Sequence, residues 1–163
     1  MLYDRRERCW VNPSMIISPL PDTSAPQIMA VNLRNSRGEL INTSGLRTVA
    51  QGRYAITVHA VDTMLRAQEP PLAPHRIISA VNGTEAGSLN FETISARNGQ
   101  LMVNASSSAG SQGSLVPARQ VYAPFPAFEA GEALFNRGQA NLEVIVQDIS
   151  GNSRSTIIRM LVE

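Results

Sequence analysis

The sequence predicts an all-β fold, an immunoglobulin-like antiparallel β-sandwich of about seven to nine strands with an extended N-terminal segment. Three observations predict it. Residues 55–62 can be laid over residues 141–148: Ile56, Val58 and Ala60 match Leu142, Val144 and Val146, and each run closes on an aspartate. Such alternation puts one apolar face on a core and ends the strand in an Asx-type turn. Turn signals then separate apolar runs at Asn82-Gly83 and at Ile149-Ser150-Gly151-Asn152. Finally, no stretch carries the 3.6-residue period long enough for a core helix.

The elements follow in order. Residues 1–14 are polar and irregular and are expected to be unanchored. Pro19, Pro21 and Pro26 make the next segment extended, because each proline fixes φ and restricts the residue before it. Residues 27–33 read as a first strand, Ser36-Arg37-Gly38 as a turn, residues 39–42 as a short return and residues 52–62 as the first strong strand. Pro70, Pro71 and Pro74 mark a loop. Residues 75–81 and 88–94 flank the Asn-Gly hairpin signal. Residues 104–114 have the composition of a flexible loop. An aromatic and proline segment at 121–128 precedes residues 129–135, which suit one helical turn. Residues 140–148 and 155–162 close the fold. The expected division is an N-terminal segment, 1–26, and a sandwich domain, 27–163, whose core includes Ile56, Val58, Leu142, Val144 and Val146.

A chain of 163 residues buries roughly 70% of its unfolded surface and folds without a metal or disulfide staple. Net charge is +1, which argues against an electrostatic nucleic-acid binder. All 14 basic residues are arginine, scattered along the chain. Cys9 is the one cysteine, so there is no internal disulfide framework. No run approaches the ~20 apolar residues of a membrane helix. Residues 1–9 lack the apolar stretch of a signal peptide.

Catalytic chemistry is hard to assemble from these residues. The only histidines are His59 and His75. His59 is out of phase with Val58 and Ala60 and is expected at a surface or second face, as is His75 at a strand start. A zinc site needs three or four converging ligands, and His59 with Asp62 supplies two. No Gly-x-Ser-x-Gly elbow or phosphate-cradling glycine loop occurs. No catalytic, cofactor-binding or metal site is therefore expected. Two weaker features stand beside that expectation. Asp62 and Asp148 could bind calcium at a sandwich end, with turn capping as the favoured reading. Tyr122, Phe125 and Phe128 could form a recognition stripe, with a flap packed over one end of the sandwich favoured.

The junction Cys9-Trp10-Val11-Asn12-Pro13, followed by Asp22-Thr23-Ser24-Ala25-Pro26, resembles the segment past the catalytic domain of lysostaphin-type (LytM-like) zinc peptidoglycan endopeptidases of bacteria. Gly52 to Val58, Pro74 to Ile78, Val81-Asn82-Gly83 and Asp148 to Asn152 extend the similarity over most of the chain. The zinc ligands of that family, His-x-x-x-Asp and a later His-x-His, have no counterpart here: His59 is followed four residues on by Thr63 and His75 by Ser79. The resemblance thus implies the accessory C-terminal half of such an enzyme, non-catalytic, with Met1 falling just after the zinc-binding strand. It also implies the periplasm or cell envelope, and a catalytic peptidase domain or a wall or envelope protein as partner. No nucleic acid or membrane span is expected, and the chain is expected to be a monomer. The alternative is an independent extracellular adhesin-like or calcium-binding immunoglobulin-like domain.

Overall fold

Two facing sheets bury the apolar side of nearly every alternating run in the sequence. In the computed structural model, which describes residues 2–16, 21–62, 73–107, 114–117 and 127–163, thirteen strands appear in chain order. They are β1 (Leu2–Asp4), β2 (Cys9–Val11), β3 (Gln27–Asn35), β4 (Leu40–Asn42), β5 (Thr48–Val49), β6 (Gly52–Val61) and β7 (Arg76–Val81). The rest are β8 (Thr84–Arg97), β9 (Gln100–Ser107), β10 (Ser114–Pro117), β11 (Ala127–Phe135), β12 (Gly138–Gln147) and β13 (Ser153–Val162). A 3-10 turn spans Pro13–Met15. No helix among the described residues is long and apolar enough to cross a membrane.

The larger sheet runs β1-β2-β8-β7-β12-β13-β5, with β9 beside β8 and β10 beside β9. The smaller runs β11-β6-β3-β4. Pairing is antiparallel except for the two-residue parallel match of β5 with β13. The two runs that share a pattern, β6 and β12, are each central in their own sheet. Ile56, Val58 and Ala60 face Leu142, Val144 and Val146 across the core, all six without exposure. Burying one such aliphatic side chain stabilises by about 1.5–3 kcal/mol. Phe91 and Phe128 meet at 5.0 Å and Tyr54 and Phe135 at 5.6 Å, both edge-on. The Asn82-Gly83 hairpin forms, with φ of 51° and 79° at its two central residues, the signature of a type I′ turn.

Three expectations fail, each for a local reason. The N-terminus is paired: β1 and β2 form a hairpin, and Cys9, Trp10 and Val11 oppose Ser95, Ile94 and Thr93 of β8. Strands of three residues are too short to show alternation. The six-residue β7 leaves the far half of the fourteen-residue β8 uncovered, and β2 fills that edge. The hairpin tip is closed by the Asp4 carboxylate, which accepts from the amides of Arg6 and Glu7 at 2.8 and 3.1 Å, and Tyr3 packs on Trp10. Residues 129–135 form no helical turn but continue β11, whose register against β6 shifts between Glu129 and Glu132. Phe128 and Ala130 point inward on even positions and Phe135 on an odd one, because the bulge inserts a residue and erases the period. Within 104–114, residues 104–107 end β9 and Ser114 opens β10, which pairs back on it; their small polar side chains hid the strands. Phe128 is core, whereas Tyr122 and Phe125 lie outside the described residues.

Candidate metal centre at the sandwich end

Because β6 and β12 occupy equivalent places in facing sheets, the aspartates that end them arrive at the same end of the sandwich. Asp62 and Asp148 are both buried, and Asp22, from the segment leading into β3, joins them half-buried. One carboxylate oxygen from each lies within 4.8 Å of the others. That span equals about twice the 2.3–2.6 Å at which calcium takes oxygen ligands, so all three could touch one such ion. Three carboxylates this close repel one another, and a divalent cation would remove that repulsion.

Local hydrogen bonds set the Asp148 and Asp22 carboxylates in place. The backbone amide of Asn152 donates to Asp148 Oδ1 at 2.8 Å, and its side-chain amide donates to Asp148 Oδ2 at 2.7 Å. The Asp148 amide returns a bond to the Asn152 carbonyl at 3.0 Å. This is the expected turn-capping role, performed by the same residue that belongs to the cluster. Asn152 Nδ2 also donates to the Asp22 carbonyl at 3.0 Å, and the Ser24 amide donates to Asp22 Oδ1 at 2.9 Å. Arg154 Nε reaches the carbonyl of the fully buried Pro26 at 3.4 Å. The lead-in segment is thus clamped to the β12–β13 turn before it enters β3.

Asp22 was not legible as a site residue. It lies 130 positions from Asn152, and its only local signal is the Asx turn with Ser24. The other candidates stay apart. His59 is half-buried on the outer face of the smaller sheet, at register positions beside Ala30 and Ala127. His75, expected at a surface or second face, has a side chain only 16% exposed, with Nε2 at 3.6 Å from Glu92 Oε1; β8 runs past it, and Phe91 donates its amide to the His75 carbonyl. Cys9 is buried in β2. Among the described residues, the Asp22, Asp62 and Asp148 trio is the group able to hold a metal ion, and no histidine belongs to it.

A family model matches residues 25–163, from just before β3 to the last residue. The chain belongs to that family. A search of curated proteins gave no match.

Proposed function

We propose that the chain is a non-catalytic β-sandwich module of a cell-envelope, peptidoglycan endopeptidase-like protein, with a positioning or binding role. The clamped lead-in segment carries the reading. A module that positions a neighbour needs a fixed path for the chain that reaches it, and Asn152 and Arg154 bind the backbone at Asp22 and Pro26. The peptidoglycan context rests on the similarity of the Val11-Asn12-Pro13 junction and the strands behind it. Two measurements test the reading. Purified chain incubated with peptidoglycan sacculi, with and without zinc, should release no muropeptides; zinc-dependent release abolished by His59→Ala or His75→Ala overturns the non-catalytic half. Amide exchange of Ser24 and Ala25 should be as slow as that of β3; exchange at the free-peptide rate overturns the positioning half.

A second reading, a calcium-binding sandwich domain, is favoured by the convergence of Asp22, Asp62 and Asp148. Calcium at millimolar concentration should then raise the unfolding temperature, since a ligand that binds only the folded state stabilises it. Asp148→Asn should remove that response. An unchanged melting curve of the wild type rejects this reading.

A further inference from the structure

Among the described strands, one edge of the larger sheet stands open. β13 pairs with β12 along its whole length, but β5 covers it on the other side only at Leu161 and Val162. There the amides of Leu161 and Glu163 donate to the carbonyls of Arg47 and Val49 at 2.8 and 3.0 Å. Amide direction alternates along a strand. The N–H groups of Ser155, Ile157 and Arg159 therefore point to the same side, where no described strand pairs with them. Such a row is a template for another strand.

The surroundings select what could add there. Arg47 and Arg159 line a groove of about 370 Å³ beside this edge with Gln139, Asn141 and Leu161, and no carboxylate lines it. Neither guanidinium forms an ion pair among the described residues, whereas Arg34 and Arg53 on the smaller sheet each meet a glutamate of β11. Glu143, on β12, is opposite Ile157 and makes no ion pair with Arg159. Ile157 and Leu161, 53% and 45% exposed, offer apolar contact on the outward face. A second copy of β13 would bring only further arginine to the seam.

We propose that the β13 edge binds an extended acidic peptide as an added strand, with its backbone on Ser155, Ile157 and Arg159 and its carboxylates on Arg159 and Arg47. This deepens the binding role proposed above. Backbone pairing supplies affinity in such additions and the alternate side chains supply specificity; arginine suits carboxylates because its fork is bidentate.

The test is fluorescence anisotropy with a labelled, end-capped heptapeptide, Thr-Glu-Val-Glu-Val-Glu-Thr. Its analogue with lysine for glutamate and its form N-methylated at alternate residues serve as comparisons. The acidic peptide should bind saturably, and both comparison peptides at least about tenfold more weakly. Ser155→Pro removes one outward N–H but no ladder bond, a setting in which a strand tolerates proline; it and Arg159→Glu should each weaken binding about tenfold. If Ser155→Pro fails to fold, Arg159→Glu and the N-methylated peptide decide alone. The proposal is overturned by absence of saturable binding, by equal binding of the acidic and lysine peptides, or by wild-type affinity in Arg159→Glu. Sedimentation showing that the chain dimerises in a way that Arg159→Glu abolishes would assign the edge to a second copy and equally overturn it. Sacculus cleavage and exchange at Ser24 and Ala25 are read separately, so failure here leaves those outcomes standing.

Discussion

The two flanks of the sandwich are finished in opposite ways. On the β11 flank the sheets close backbone to backbone. Gly131, at φ 139°, sits so near β8 that a Cβ there would lie 2.7 Å from the Ala86 carbonyl oxygen. Ser79, fully buried in β7, donates its hydroxyl across the seam to the Ala130 carbonyl at 2.8 Å. Glu129 and Glu132 on this strand are matched by Arg34 and Arg53. On the β13 flank a two-residue strand covers one end of a ten-residue edge, and Arg47 and Arg159 form no ion pair among the described residues. The bulge explains the contrast. An extra residue in β11 bends the strand toward β8, while β13 keeps an unbroken register along β12. A closed flank contributes stability; an open one presents hydrogen-bonding capacity.

That difference can be broken from the largest effect down. Gly131→Ala should be the most damaging substitution, costing roughly 3–5 kcal/mol. The new methyl meets main-chain atoms that cannot move aside, and the backbone conformation is one that L-residues avoid. Chemical denaturation should show it; a loss below about 1 kcal/mol would mean that the two sheets are not in backbone contact.

A core change common to both flanks sets the scale. Val144→Ala, at a position without exposure between the sheets, should cost about 1–3 kcal/mol through lost burial and a residual cavity. Equality with Gly131→Ala would remove the special standing of the seam. Ser79→Ala should cost about 1–2 kcal/mol, because it strips the Ala130 carbonyl of its buried donor. An unaltered midpoint would show that the seam holds by packing alone.

The smallest effect is expected at the ion pairs. Arg53 and Glu132 are 66% and 49% exposed. Glu132→Gln should therefore change stability by no more than about 0.5 kcal/mol. A larger loss would show the charges, rather than the bulge, fastening β11 to β6.

The pattern of the chain alone determined the all-β class, the central strands β6 and β12, their inward residues and the Asn82-Gly83 turn. A two-residue period leaves one choice of buried face, and an Asn-Gly pair accepts positive φ at little cost. It also placed an aspartate at the end of each of the two matching strands. Tertiary structure alone decided that these aspartates meet, and that Asp22 joins them through Asn152, because only the facing of two sheets brings residues so distant in sequence together. It likewise decided the fate of β1, β2 and β11. Short strands and a bulged strand carry no readable period, so their pairing depends on which edges the longer strands leave open. The vacant half of β8 received the N-terminal hairpin. Along most of β13, by contrast, no described strand pairs on the side away from β12.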